Sequence, residues 1–330
     1  MPNGRAMERR RLGTTDLEIS RIGLGTWALG GGDWEFAWGP QDDDDSVATL
    51  HRAVGLGINW IDTAASYGLG HAEEIVARAL SDLPSKERPY VFTKCGLVWD
   101  RRGRIRHRLK ADSLRQEVEG SLRRLRVEVI DLYQVHWPGF PPDGPAPDLE
   151  EGWTTLVELE RQGKVRHIGV SNFNVSQFER ISPLKTPASL QPPYSLLARD
   201  IEREILSYCR RNEIGVIVYS PLQSGLLSGK MTRERAGALP YNDWRRKRSP
   251  DFQEPRLSRN LERVEHLRRI ARRHARSPAE MAIAWSLRDP VVTGAIVGAR
   301  HPRQIEETTA AAELRLAQED LAAIEALFPA

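Results

Sequence analysis

Four side chains that could together protonate a carbonyl compound lie at or near the ends of predicted strands. Asp62 ends one apolar run, Lys94 ends the next and His136 ends a third, while Tyr67 follows shortly after Asp62. Taken singly, each has a structural explanation: a helix cap for Asp62, a surface position for Lys94 and a bond to a buried carbonyl for His136. Charged residues seldom end apolar strands, so their coincidence favours a catalytic centre.

The four residue types suit different parts of one reaction. A tyrosine phenol has a reference pKa of about 10, so Tyr67 is protonated at neutral pH and can donate its proton to a forming alkoxide. The Lys94 ammonium would make that proton easier to lose, and Asp62 would keep Lys94 charged by pairing with it. His136 could donate a hydrogen bond to the substrate oxygen or polarise it. A hydride source must come from a cofactor.

The elements that must position these residues alternate between strands and helices. Apolar, β-rich runs predict strands over 21–25, 58–62, 90–94, 129–136, 165–171, 188–191, 215–220 and 291–298. Helical patterns cover 45–56, 72–80, 112–125, 149–162, 174–181, 201–211, 261–274, 278–287 and 318–327. Continuous apolar strands indicate a buried parallel sheet, and we interpret the eight units as an α/β fold of the (β/α)₈ TIM-barrel type. Residues 9–20 would add an N-terminal β-hairpin on the barrel floor.

The longest segments without periodicity follow predicted strands 1, 4 and 7, at 27–41, 137–148 and 222–259. In a barrel these loops lie on the face where active sites are built. Asn260 and the Ser277-Pro278 pair are typical of helix starts. No linker or composition break divides the chain, so residues 1–330 are expected to form one domain.

The composition argues against several classes of protein. The 48 basic and 45 acidic residues leave a net charge of +3, too little for a field that holds nucleic acid or an anionic membrane. We interpret the basic run at 101–108 as a solvated loop. Two cysteines without a CxxC spacing, and eight histidines without HExxH, predict no metal site and suit the cytoplasm. No apolar stretch predicts a leader or a membrane span. A small-molecule partner is expected.

The motifs around the four residues resemble those of the aldo-keto reductases. They are DTAASYG at 62–68, Lys94 at its strand end and His136 at the next, and the resemblance extends from Arg10 to Leu314. It implies a (β/α)₈ barrel, NADP(H) and a catalytic tetrad that falls on Asp62, Tyr67, Lys94 and His136, with tyrosine as general acid. The expected reaction is reduction of an aldehyde or ketone to an alcohol.

The resemblance also implies a set of cofactor contacts. Ser171, Asn172 and Gln191 would hold the nicotinamide carboxamide, and Tyr219 would stack beneath the ring. The remaining contacts would be Gly25 and Thr26 at the first strand, Ser220, Leu222, Gly225 and Lys230 around the pyrophosphate, and Gly298, Arg300, Gln304 and Glu307 at the adenosine end. Arg300 would pair with the 2′-phosphate, which predicts NADP(H) over NAD(H).

The sequence departs from the family pattern at two positions. Val297 stands where many relatives have proline, and Thr308 stands where asparagine is common, which removes an expected adenine contact. At the other end of the site, Trp27 and Trp137 would line a substrate pocket that prefers aromatic or apolar carbonyls to charged sugars.

Two alternatives to an enzyme of this type have a basis in the sequence. The family includes potassium-channel β subunits, so the chain could instead be an NADP(H)-binding sensor with slow residual reductase activity. Residues 23–28, GLGTWA, fit a relaxed dinucleotide fingerprint of a Rossmann fold. We interpret that match as fortuitous because further glycines follow and no helix opens on them.

Overall fold

Eight parallel strands close into a barrel in chain order, which confirms the predicted (β/α)₈ fold. The computed structural model describes residues 7–32, 34–142, 144–241 and 243–329. The strands are β1 (Arg9–Arg11), β2 (Glu18–Ser20), β3 (Ile22–Gly25), β4 (Trp60–Asp62), β5 (Tyr90–Cys95), β6 (Leu97–Trp99), β7 (Ile105–His107), β8 (Ile130–Val135), β9 (Val165–Ser171), β10 (Ser189–Gln191), β11 (Gly215–Val218) and β12 (Val292–Gly298). The barrel consists of β3, β4, β5 and β8 to β12, and β12 pairs with β3 to close it.

Helices follow the barrel strands. They are α1 (Asp43–Gly55), α2 (His71–Ser81), α3 (Ala111–Leu125), α4 (Leu149–Arg161), α5 (Val175–Ile181), α6 (Ile205–Arg211), α7 (Arg233–Gly237), α8 (Trp244–Arg248), α9 (Arg256–Arg273), α10 (Pro278–Ser286), α11 (Pro302–Thr309) and α12 (Gln318–Leu327). Among the described residues, no helix combines the length and the apolar character needed to cross a membrane.

Small residues on β3 make room for the barrel interior. A Cβ atom added to Gly23 would lie 2.2 Å from the Trp60 ring, and one added to Gly25 would lie 2.6 Å from Ile296 Cγ2. Both glycines are therefore required by packing across the sheet. They belong to a barrel strand followed by a short 3-10 turn, Trp27–Gly30, so a Rossmann fold at this motif is excluded.

The predicted N-terminal hairpin closes the barrel floor. Strands β1 and β2 pair antiparallel, and Leu12, Leu17 and Ile19 are fully buried in one cluster with interior residues such as Trp60. Burying each of these side chains contributes about 1.5–3 kcal/mol. The turn residue Gly13 has a φ of +54° and lies too close to the Ala188 carbonyl for any side chain.

Arg21, predicted as the first residue of a strand, instead anchors the barrel through its side chain. The guanidinium is buried and donates hydrogen bonds to the carbonyl oxygens of Val292 (2.5 Å), Thr293 (2.9 Å) and Leu287 (2.5 Å). It therefore ties the start of β3 to the segment that leads into β12, the strand that closes the barrel.

Capping side chains explain where several helices start. Asp42 accepts a hydrogen bond from the Asp45 N–H at the start of α1, and Ser277 forms a capping box with Glu280 at the start of α10, as predicted. The prediction for Asn260 was wrong, because α9 begins at Arg256 and Asn260 is buried inside it. The helix expected over 201–211 begins at Ile205, after a 3-10 turn at Asp200–Glu202.

Two of the predicted loops contain regular structure. Strands β6 and β7 form an antiparallel hairpin within the segment interpreted as a solvated loop, where Arg104 and Arg106 pair with Asp100. The segment 222–259 contains the short helices α7 and α8, and α11 follows β12 where no helix was expected.

Candidate active site

The four predicted catalytic residues lie together at the carboxyl end of the barrel. The pairing register of the parallel strands aligns these strand ends, since Asp62 is opposite Gly25 and Phe92, and Lys94 is opposite Gln134. Lys94 Nζ donates to Asp62 Oδ2 at 2.6 Å, to the Thr63 carbonyl at 2.9 Å and to the Tyr67 hydroxyl at 3.3 Å. The ammonium therefore bridges a carboxylate and the phenol.

His136 completes the group from the neighbouring strand. It directly follows β8, its backbone N–H donates to the Cys95 carbonyl, and its ring centroid lies 5.7 Å from that of Tyr67. Tyr67 opens a 3-10 turn, Tyr67–Gly70, that packs tightly on Gly30: a Cβ at Gly68 would lie 2.0 Å from the Gly30 carbonyl oxygen. The loops after β3 and β4 thereby fix the position of the phenol.

Burial dominates the protonation of the site. It raises the pKa of the Tyr67 phenol well above its ordinary value, and the Asp62 carboxylate raises it further. Burial also lowers the pKa of His136 well below its usual range, an effect to which the Lys94 ammonium adds. At neutral pH the phenol is therefore protonated, as a proton donor must be, and the imidazole is neutral.

Burial favours the neutral forms of both members of the buried pair, Lys94 and Asp62. Burial lowers the pKa of Lys94 and raises that of Asp62, and in each case the partner's opposite charge works against the shift. We expected Lys94 to lower the pKa of Tyr67. The pKa of the Tyr67 phenol is instead raised, because burial is the largest effect and the Asp62 carboxylate adds to it.

Amide side chains surround the tetrad. Gln191 Nε2 donates to Asp62 Oδ1 at 2.7 Å, and Asn172 Nδ2 donates to the His136 carbonyl at 3.0 Å. Tyr219 donates its hydroxyl proton to Asn172 Oδ1 at 2.8 Å. Gln134, fully buried on β8, lies beside this network, with its Oε1 3.5 Å from Gln191 Nε2. Sequence reasoning missed Gln134 because a glutamine in an apolar run carries no motif.

One cavity of about 1260 Å³ joins the predicted residues. The predicted residues that line it are Gly25, Thr26, Trp27, Asp62, Tyr67, His136, Trp137, Ser171, Asn172, Gln191, Tyr219, Ser220, Leu222, Gly225, Lys230, Gly298, Arg300, Gln304 and Glu307. Lys94 is not a lining residue, because it lies behind Asp62 and Tyr67. This volume exceeds the needs of a small carbonyl compound alone.

Aromatic side chains form the end of the cavity nearest Tyr67. The Trp27 ring lies 5.2 Å from those of both Tyr67 and Trp34, and Trp137 lies 6.3 Å from Phe140. Phe36, Phe140, Leu97 and Ile105 also line the cavity, and sequence reasoning missed them. All four come from irregular loops or from the short β6–β7 hairpin, where no periodicity marks a buried face.

Polar groups line the other end, and most already have protein partners. The Arg300 side chain donates to Gln41 Oε1 at 2.7 Å and to the carbonyls of Trp38 and Pro40. Lys230 pairs with Glu307, while the Thr308 hydroxyl donates back to carbonyls of its own helix. Val297 also lines the cavity.

These residues fit a nicotinamide dinucleotide. The cavity offers an aromatic ring and amides beside the tetrad, cationic side chains at its far end, and open space at Gly225, where an added Cβ would meet nothing within 4 Å. Among the residues that the structure describes, no three His, Cys, Asp or Glu side chains are grouped as metal ligands would be.

Comparison with known proteins identifies relatives over nearly the whole chain. A model described as the aldo/keto reductase family matches residues 21–328. The chain is 40% identical to "Aldo-keto reductase YhdN" of Bacillus subtilis over 91% of its length and 87% of that protein. It is 36% identical to the "NADH-specific methylglyoxal reductase" of Escherichia coli, covering 95% and 96%. A solved glycerol dehydrogenase from Gluconobacter oxydans superposes with a TM-score of 0.86 and 37% identity, covering 97% of this chain and 94% of that one.

Proposed function

The chain belongs to the aldo/keto reductase family, and we propose that it reduces aldehydes or ketones to alcohols with Tyr67 as general acid and NADPH as hydride source. Family membership makes it an oxidoreductase acting on carbonyl groups through a nicotinamide cofactor. The observation that carries the finer assignment is the contact of Lys94 Nζ with both Asp62 (2.6 Å) and the Tyr67 hydroxyl (3.3 Å) in a buried site.

The bound cofactor would supply the hydride, and the chain's own residues would do the rest. The substrate oxygen would lie between the Tyr67 hydroxyl and His136, both of which line the cavity. Tyr67 would hold its proton until negative charge develops on that oxygen, because burial keeps its pKa high. Neutral His136 would donate a hydrogen bond that strengthens as the alkoxide forms.

Lys94 and Asp62 would act through Tyr67. When the phenol gives up its proton, the phenolate left behind is 3.3 Å from the Lys94 ammonium, which stabilises the new negative charge. Asp62 keeps Lys94 protonated in a site whose burial favours the neutral amine. Gln191, donating to the other carboxylate oxygen, fixes the orientation of Asp62.

The cofactor would lie along the polar part of the cavity. Ser171, Asn172 and Gln191 would bind the carboxamide, and Tyr219 would stack on the nicotinamide. We propose NADPH over NADH because Arg300 is the cation placed for a 2′-phosphate. To bind a 2′-phosphate, Arg300 would have to give up some of its hydrogen bonds to Gln41 and to the Trp38 carbonyl and donate to the phosphate instead. One relative is described as NADH-specific, so this preference needs its own measurement.

A carbonyl panel run in parallel with NADPH and NADH tests the proposal. We expect oxidation of NADPH with aromatic and apolar aldehydes, at a higher kcat/KM than with NADH. No oxidation of either cofactor with any carbonyl would contradict a reductase and favour the alternative of an NADP(H)-binding sensor. Equal kcat/KM with NADPH and NADH would contradict only the role of Arg300.

A further inference from the structure

Phe36 lines the aromatic end of the cavity, and it belongs to no motif that the sequence revealed. Its ring lies 6.3 Å from Phe140 at 81°, so the two meet edge to face from the loops after β3 and β8. The same ring lies 5.8 Å from Trp34 and 6.4 Å from Trp27. Trp27 in turn contacts Tyr67, so Phe36 stands one aromatic layer away from the proposed proton donor.

The position of Phe36 is fixed from both of its sides. Trp27 Nε1 donates to the Phe36 carbonyl at 3.1 Å, which fixes the backbone. On the solvent side the Arg248 guanidinium lies 5.2 Å from the ring centroid and donates to Glu35 Oε1 at 2.9 Å. Cation–π contacts of this kind are worth about 0.5–1 kcal/mol at exposed sites. Arg248 therefore holds both Phe36 and the residue before it.

The element that carries Arg248 is itself joined to the loop that carries Phe36. Arg248 ends α8, and the backbone N–H of Trp244, at the start of that helix, donates to the Ala37 carbonyl at 3.4 Å. Arg245 lies 4.8 Å from the Trp38 ring. The loops after β3 and β11 therefore meet along 36–38, and the Glu35–Arg248 ion pair lies at the pocket end of that contact.

We propose that Phe36, held by the Glu35–Arg248 ion pair, is a specificity-determining residue that makes the pocket select carbonyls with an aryl or arylalkyl substituent. This inference rests on the proposed reductase function and extends it to the substrate class. Trp27, Phe36, Trp137 and Phe140 line the same cavity as Tyr67 and His136, so the substituent of a carbonyl bound there would contact these rings. A flat aromatic substituent would pack edge to face against Phe36 and Phe140, whereas a polar carbonyl compound of three carbons would be too short to contact them.

The test compares 3-phenylpropanal with methylglyoxal in the wild type and in Phe36→Ala. We expect the variant to raise the KM for 3-phenylpropanal about fivefold to thirtyfold, the size of a lost aromatic contact with its buried surface. The KM for methylglyoxal should change less than about twofold, since its substituent does not reach Phe36. Tyr241→Ala, at an aromatic residue 84% exposed on a surface loop, is the matched control and should change neither value.

The ion pair is tested separately with Glu35→Gln, which keeps the shape of the side chain. Its KM for 3-phenylpropanal should rise about twofold to fivefold, and adding salt should raise the wild-type KM in the same direction because the pair is partly exposed. Glu158→Gln, which breaks a somewhat more exposed pair between α3 and α4, should have no effect. An unchanged KM in Glu35→Gln would overturn the role of the ion pair.

A binding measurement separates this inference from the proposed function. 3-Phenylpropanamide cannot be reduced at its amide under these conditions, and its binding beside Trp27 and Trp34 should quench tryptophan fluorescence. We expect Phe36→Ala to weaken that binding at least fivefold and to leave the much weaker binding of propanamide unchanged. If the wild type turns over no carbonyl, the proposed function fails. If it turns over carbonyls but Phe36→Ala leaves the aryl preference and the amide affinity unchanged, this inference alone fails.

Discussion

Replacing Asp62 by Asn tests the energetic basis of the site, because it leaves the Lys94 ammonium buried without its carboxylate. The Lys94 side chain is 0% exposed and its partner lies 2.6 Å away. Removing one member of a buried pair typically destabilises a protein by about 3–5 kcal/mol. The folded variant can limit that loss by releasing the lysine proton.

The free-energy cost of releasing that proton is an upper limit on the loss of stability, and this limit depends on pH. From a reference pKa of about 10.4, a neutral lysine costs about 4.6 kcal/mol at pH 7 and about 1.9 kcal/mol at pH 9. Since burial lowers the pKa of Lys94 in the folded state, the unfolded state binds more protons and the stability of the variant rises with pH toward about 10. We therefore expect a deficit of about 3–4.6 kcal/mol at pH 7 that falls below about 2 kcal/mol at pH 9.

Urea unfolding followed by tryptophan fluorescence measures this deficit at both pH values. Glu158→Gln, at an exposed pair, should cost less than about 1 kcal/mol at either pH. Replacing both buried partners, as Asp62→Leu with Lys94→Met, should recover most of the stability at pH 7. A deficit that is equal at pH 7 and pH 9, or below about 1 kcal/mol at pH 7, would refute the reasoning.

Arg21, Glu117 and Arg300, whose side chains are held by hydrogen bonds to other parts of the chain, give three more predictions. Arg21→Met leaves three buried carbonyls without their donor and should lower the free energy of unfolding by about 2–5 kcal/mol, whereas the exposed Arg9→Met should not; equal urea midpoints for the two would contradict this. Burial raises the pKa of Glu117 to about 7, so the stability that its protonated form contributes is complete below about pH 4.5 and is lost as pH rises to about 7. The free energy of unfolding of Glu117→Gln should therefore rise relative to that of the wild type by about 1–3 kcal/mol between pH 5 and pH 8. Stability that varies with pH in the same way in both proteins would contradict this role of Glu117. Arg300→Met should weaken NADPH binding about tenfold more than NADH binding in a fluorescence titration, and equal losses would mean that Arg300 only fastens the 38–41 loop.

The positions of the four proposed catalytic residues could be predicted because they sit at or near strand ends that local patterns reveal. Asp62 ends β4 as expected, and β5 extends one residue beyond Lys94, so parallel register brings both to one rim. The helix start at Ser277 was equally local, since its capping box involves residues three positions apart. Features of this kind depend on a few neighbours in the chain.

Features that depend on distant partners could not be predicted in this way. The buried position of Arg21 requires carbonyls contributed by residues near 290, and nothing beside Arg21 in the sequence signals them. Phe36 lies in a loop without periodicity and gains its role from Phe140 and Arg248 on other loops. The β6–β7 hairpin was missed because its run of arginines looks solvated, although Ile105 faces the cavity.

The most direct test of the central claim is the turnover of Tyr67→Phe. We predict that NADPH oxidation with 3-phenylpropanal falls by about 10²- to 10⁴-fold, the usual contribution of a general acid, while the Kd for NADPH changes less than about threefold. Tyr208→Phe, outside the cavity, should behave as the wild type. Turnover of Tyr67→Phe close to the wild-type rate would contradict the assignment of Tyr67 as the proton donor.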